Sequence, residues 1–245
     1  NQGIKEIVIT GVNIGTYDNQ NKTFTNLIKE LDKVKGVERY RISSIEPNLI
    51  TDEMIDVVKN SKKFMPHFHI PLQSGSDLIL GKMRRRYKTK LYLEKINNIS
   101  KKIENVCIGA DVIVGFPGET DEEFNKTLDF IRKLNLSYLH VFSYSERENT
   151  QAINLEGKVS KQVKSLRSKQ LRILSKKLQR KFYEKNLNGN FKVLFENHNK
   201  DGMMFGFTEN YIKVKTKYNH EICQTIKSVS LFNIENDGLM TAKFI

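Results

Sequence analysis

The sequence predicts an α/β chain: a parallel sheet built from βαβ units, open or closed only part-way into a barrel, followed by a small all-β barrel. Three observations predict it. Short apolar runs alternate with helical patterns up to about residue 150, and a strongly basic amphipathic helix follows. From Asn188 onward only short strand-like runs between turn signals remain. The implied boundaries are 1–155, 156–187 and 188–245.

The elements justify themselves in order. Ile4–Thr10 reads as a strand ending in Gly11-Val-Asn-Ile-Gly15, and Phe24, Leu27, Ile28, Leu31 and Val34 recur at helical spacing behind it. Tyr40–Ile45 is a second strand, stopped by Glu46-Pro47, with Thr51 capping a short helix. His67–Leu72 is a third, closing in Gln73-Ser-Gly75, followed by a helix marked by Leu91, Ile96, Ile99 and Ile103. Asn105–Val114 is the fourth. After it Gly115-Phe-Pro-Gly118 turns sharply and Thr120 opens a helix, with Glu123 placed to complete a capping box. Tyr138–Tyr144 is the fifth strand. Five units are too few for a closed eight-stranded barrel and suit an open or partial one.

Lys158 to Lys185 holds eleven Lys or Arg against one acid, Glu184, on an amphipathic helical pattern. Lys176, Lys177, Arg180 and Lys181 lie on its basic face. Five runs then follow: Phe191–Glu196, Met203–Phe207, Tyr211–Thr216, Glu221–Thr225 and Val229–Ile234. They suggest a small RNA-binding barrel. Phe205 and Tyr211, interleaved with Lys213 and Lys215, are candidates for base stacking and phosphate contact.

Composition narrows the function. Of 245 residues 28% are charged and 38% hydrophobic, and no apolar run approaches the roughly eighteen residues of a membrane span. The net charge of +13 predicts a polyanionic partner, nucleic acid ahead of a membrane, although a Lys- and Asn-rich composition raises charge by itself. Two distant cysteines, Cys107 and Cys223, exclude a disulfide framework and a Cys-x-x-Cys site, and fit a reducing cytoplasm.

Polar residues follow each strand, and in a parallel sheet those ends converge. The turn at Gly115 suits backbone N–H groups facing a ligand. His67 and His69 point to one face of a strand. That spacing suits a metal pair, but with no third His or Cys nearby in the chain they read as structural or substrate-contacting. Gln73-Ser-Gly-Ser-Asp77 is hard to explain as packing, and Arg84-Arg-Arg86 offers guanidinium forks for an anion. No catalytic triad, phosphate loop or paired acid site stands out. The whole reads as a cofactor cradle without a reactive centre.

His69-Ile-Pro-Leu-Gln-Ser-Gly-Ser-Asp77, Met83-Arg-Arg-Arg-Tyr87 and Asp111-Val-Ile-Val-Gly-Phe-Pro-Gly-Glu-Thr120 together resemble the radical S-adenosylmethionine methylthiotransferases. Residues 1–150 resemble strands two to six of that family's partial barrel, so its first strand would be lacking. Gly206-Phe-Thr-Glu-Asn-Tyr-Ile-Lys-Val214 resembles the family's RNA-binding TRAM domain. Arg41-Ile-Ser-Ser-Ile-Glu-Pro47 and His140-Val-Phe-Ser-Tyr-Ser145 are similar to the branch acting on threonylcarbamoyladenosine in tRNA. Ser143 and Asn149 depart from that branch's usual proline and glycine. The isopentenyladenosine branch is the alternative substrate, and a non-catalytic RNA-binding remnant the alternative of another class.

The resemblance implies S-adenosylmethionine as cofactor and two [4Fe-4S] clusters in the full-length enzyme. Gly11, Val12 and Asn13 would meet the cofactor's amino group, and Ser74 and one of the three arginines, Arg86 ahead of the others, its carboxylate. Ser44, Glu46 and Gln73 would lie near the ribose or base. Ile113, Gly115 and the backbone at Val141 and Phe142 would pack the adenine. The family's cluster-binding cysteines have no counterpart here, so the resemblance implies the C-terminal portion of a longer cytoplasmic, monomeric enzyme. Such a portion would hold no metal or catalytic residue of its own, would be unable to cleave the cofactor, and would still bind tRNA.

Overall fold

The computed structural model describes residues 3–148 and 150–245; Asn149 lies outside them. Strands β1 (Glu6–Ile9) and β4 (Arg39–Ile42) pair in parallel, with a short hairpin, β2 (Asp18–Asn19) and β3 (Lys22–Thr23), and helix α1 (Phe24–Lys33) between them. Helix α2 (Asp52–Asn60) leads to β5 (His67–His69). Helices α3 (Asp77–Lys82) and α4 (Thr89–Lys102) lead to β6 (Cys107–Val114), and α5 (Asp121–Lys133) leads to β7 (Tyr138–Ser143). β5, β6 and β7 form a second parallel group, joined to β4 by parallel bridges at Tyr40–Phe64 and Ser44–His69. The five strands therefore lie in the order β1-β4-β5-β6-β7.

Alternation along β6 shows how the sheet divides its faces. Ile108, Ala110, Val112 and Val114 join the main core with Ile55 of α2, Ile96 of α4 and Ile131 of α5. Cys107, Gly109, Asp111 and Ile113 point the other way, as period two requires. Gly109 is fixed by its neighbour: a Cβ there would overlap the Tyr138 ring on β7.

The helix starts follow their local signals. Thr51 accepts from the Met54 N–H and Thr120 from the Glu123 N–H. The capping box at Thr120 does not form, because the Glu123 side chain turns to Ser76 Oγ and Lys126. The β2–β3 hairpin and α3, capped by Ser76, are additions to the sequence reading.

Helix α6 (Lys161–Lys185) follows, and then a closed barrel of β8 (Asn190–Phe195), β9 (Met203–Thr208), β10 (Lys213–Lys217), β11 (Ile226–Ile234) and β12 (Met240–Phe244), in the order β10-β12-β11-β8-β9. The expected strand at Glu221–Thr225 is instead a 3₁₀ turn, because Asn219 Oδ1 accepts from the Glu221 N–H and Gln224 adopts a positive φ. The fifth strand is β12, beyond the Asn236-Asp-Gly238 turn.

Two buried contacts join these parts. Arg41 donates to the carbonyls of Thr208 (2.7 Å) and Glu209 (2.9 Å) and to Glu6 Oε1 (2.8 Å). Arg39 donates to the carbonyls of Lys192 and Phe207. Both arginines are buried, so the sheet grips the barrel through charge-assisted bonds that water does not compete for. Along the outer edge of β7, Ser175 of α6 accepts from the Leu139 N–H and donates to its carbonyl. That covers an edge that would otherwise be open.

Removing one partner of a buried ion pair leaves the other uncompensated. Arg41→Ala is expected to lower the unfolding free energy by roughly 3–5 kcal/mol. A urea titration followed by circular dichroism checks this, and a change under about 1 kcal/mol contradicts the pin.

Candidate cofactor rim and nucleic-acid interface

The strand ends do converge on a polar rim. Glu46, after β4, pairs with Arg85 at 3.2 Å, both partly exposed. Gln73, after β5, sits in the left-handed region at φ 64°, tied to β6 through the Asp111 carbonyl and the Ile113 N–H. Its side chain is buried, and Oε1 has no protein partner. Arg85 Nε is likewise buried and unpartnered. Unpaired buried polar atoms at one rim are what a polar ligand would satisfy.

The candidate residues divide on this geometry. Glu46, Gln73, Ile113 and Phe142 face the rim or the side of the sheet away from the helices. Gly11, Val12 and Asn13 form an exposed loop after β1. Ser44 belongs to the bridge with His69. Two side chains stand away from the expected place. Arg86 is exposed, and Arg85 is the arginine turned to the rim. Ser74 is fully buried, its Oγ taken by Thr127 Oγ1 and the Ser76 N–H, so it shapes the loop instead of offering a hydroxyl. The side chain of Val141, whose expected contribution is its backbone, is buried on the opposite face from Phe142.

The glycine turn after β6 also serves the protein itself. The Gly115 N–H donates to Glu119 Oε1 at 2.8 Å. Arg167 of α6 donates to Glu119 Oε1 at 2.6 Å, to the Glu119 carbonyl at 2.9 Å and to Asp121 at 2.7 Å. Burial raises the Glu119 pKa, against the pull of the Gly115 N–H and Arg167. At Gly115 φ is 76°, and a Cβ would strike the Lys164 stem. The turn is thus a latch onto α6, and its first N–H is not free for a ligand.

Sequence reasoning missed a constellation on the helix-free face. His69 Nε2 lies 2.9 Å from Asp111 Oδ1, and His140 Nδ1 lies 3.4 Å from the same oxygen. Tyr138 OH bridges His67 Nε2 (2.9 Å) and His69 Nδ1 (3.3 Å). Burial of Asp111 would raise its pKa, but the imidazoles of His140 and His69 more than offset this and hold it well below the usual carboxylate range. Burial also keeps His67 neutral, its pKa far below the ordinary value. The available signal was parallel-strand register: Asp111 pairs with His140 one strand over.

The nucleic-acid candidates divide too. Lys176, Lys177, Arg180 and Lys181 are exposed on α6, and Arg180 pairs with Glu184. An open groove of about 1300 Å³ runs between the end of β7 and α6, lined by Lys158, Lys161, Lys164, Lys169, Arg172 and Lys176. On the barrel, Lys213 Nζ stands over Phe205 (5.3 Å) and Phe207 (5.7 Å). Lys215 is neutralised by Asp237 at 2.6 Å. Tyr211 is not a free stacking platform, being held between Phe207 (4.8 Å) and His67 (4.1 Å) with Arg41 against its face. Among the described residues no helix is long and apolar enough to cross a membrane.

The radical SAM superfamily matches residues 1–131, more than half of the chain. The chain belongs to this superfamily. Its members use S-adenosylmethionine and an iron–sulfur cluster.

The chain is 40% identical to the threonylcarbamoyladenosine tRNA methylthiotransferase MtaB of Bacillus subtilis over 94% of its own length and 52% of that protein's. The tRNA-2-methylthio-N(6)-dimethylallyladenosine synthase of Syntrophus aciditrophicus is 36% identical over 85% of the chain and 44% of that protein. The chain spans about half the length of these curated relatives. Among solved structures, coproporphyrinogen III oxidase of Escherichia coli superposes with a TM-score of 0.55 at 18% identity, over 69% of this chain and 39% of that one, which is a likeness of fold.

A cluster needs several thiolates, and this chain's cysteines do not supply them. Cys107 is buried on β6, its thiol pushed up to about 12 by burial, and Cys223 stands in the distant small barrel. A thiol reagent at neutral pH is expected to modify Cys223 in the native chain and Cys107 only after unfolding. Equal native rates for the two, read by mass spectrometry, would contradict that burial.

Proposed function

We propose that this chain is the part of a tRNA methylthiotransferase that cradles S-adenosylmethionine and grips the RNA, and that its target is the threonylcarbamoyladenosine beside the anticodon. The observation that carries the reading is continuity: a polar rim with unpaired buried atoms opens beside a basic groove that runs along α6. Relatives bearing that activity in their names match nearly the whole chain.

The rim's donor set fits the cofactor. Gly11–Asn13, Glu46, Gln73 and Arg85 would hold its polar ends, with Ile113 and Phe142 against the adenine. Bound there, S-adenosylmethionine supplies a radical source and a methyl group. This chain's own residues orient it and exclude water. The cysteine content does not fit a cluster, so both [4Fe-4S] clusters would draw on cysteines outside this sequence.

We read the closed barrel as a TRAM domain, with Phe205 and Lys213 on its RNA face, and the enzyme as a cytoplasmic monomer. The match to a dimethylallyladenosine enzyme supports a second reading, the same chemistry on isopentenyladenosine. Mass spectrometry of tRNA nucleosides from cells with and without the full gene separates the two. Loss of the methylthio-threonylcarbamoyl product is expected, and loss of the isopentenyl product instead would overturn the assignment.

Phosphate contacts make such binding salt-dependent. Replacing Lys176, Lys177, Arg180 and Lys181 with Ala is expected to weaken tRNA binding and flatten the salt slope by up to about one unit for each phosphate no longer neutralised. A filter-binding titration with affinity and slope both unchanged would reduce that face of α6 to a solvated surface.

A further inference from the structure

We propose that His69, Asp111 and His140 form a binding site for a divalent first-row transition-metal ion, distinct from any iron–sulfur cluster. The three side chains come from adjacent parallel strands, and their ligand atoms lie within 4.8 Å of one another. Two histidines and one carboxylate on one side of an ion, with positions left open, are a donor set suited to such metals.

The distances are compatible with coordination. Two atoms each about 2.1 Å from a shared ion stand about 3.0 Å apart at a right angle and about 3.4 Å apart at the tetrahedral angle. Asp111 Oδ1 stands 2.9 Å from His69 Nε2 and 3.4 Å from His140 Nδ1. The second separation is long for an N–H···O bond, so hydrogen bonding leaves His140 poorly satisfied. The His140 side chain is 56% exposed and free to turn toward an ion.

Tyr138 has one hydroxyl proton and two imidazole neighbours, so two arrangements are open. When it donates to His69 Nδ1, His69 Nε2–H donates to Asp111 Oδ1. When it donates to His67 Nε2, its oxygen accepts from His69 Nδ1–H and the His69 Nε2 lone pair is left for an ion, which takes the place of the released Nε2 proton. Tyr138 is thus placed to hold the ligating tautomer once an ion binds, the usual task of a group behind a metal-bound histidine. Asp111 and His140 stay partly exposed, so the ion would keep open positions for an oxygen donor of a bound ligand, unlike a closed structural site.

The test uses the tag-free chain and Co²⁺ alone. One equivalent is expected to bind and give visible d–d absorption, displaced by Zn²⁺. His140→Ala, at an exposed position that leaves the fold intact by circular dichroism, is expected to weaken binding more than tenfold. Tyr138→Phe is expected to weaken it about tenfold. Absence of Co²⁺ absorption, or binding unchanged in His140→Ala and therefore due to His198 or His220, would overturn the proposal.

Discussion

Arg41 holds the two folded parts together, and much of the functional geometry depends on it. Its guanidinium answers Glu6 on one side and two barrel carbonyls on the other, while its face lies against Tyr211. A lysine would reach one of these partners and leave the rest buried without a donor. Because Tyr211 is fixed there, it closes the helix-free face of the sheet from below and packs on His67. His67 in turn orients Tyr138, and Tyr138 orients His69. The polar constellation is therefore built partly by a residue from the closed-barrel part of the chain.

A second constraint sets the direction of the basic helix. Glu119 and Arg167 are both almost wholly buried, and Gly115, the Glu119 carbonyl and Asp121 supply further bonds to the pair, although Glu119 Oε2 and Arg167 Nε have none. The latch stands at the start of α6 and Ser175 grips β7 farther along. Between them they leave the lysine face of the helix turned outward beside the strand ends. Charge and rim are thus placed together by a buried ion pair and a serine hydroxyl that lie apart from the lysine face itself.

Much of this was legible in the sequence, for identifiable reasons. The β6 run, the Thr51 and Thr120 caps and the α6 stripe are local signals, and they gave the right elements. Long-range contacts were not legible. Nothing local distinguishes Arg85 from Arg86, or reveals that Thr127 would claim Ser74. Tyr211 looked like an RNA platform because its aromatic neighbours are real, but its partner His67 lies far away in the chain. The Glu221–Thr225 run failed because Asn219 offers the backbone a turn bond that competes with a ladder. His69, Asp111 and His140 are scattered along the chain and meet only through strand register.

The outer edge of β1 has no partner strand among the described residues, and Ile4, Val8 and Val12 stand exposed near it. An apolar, unpaired edge is a template for strand addition. The net charge of +13 opposes the approach of two copies, with a reach that shrinks to about 10 Å at 0.1 M salt. The association of the isolated chain is therefore set by salt: dilute salt strengthens the self-repulsion, whereas concentrated salt screens it and lets the apolar edges approach.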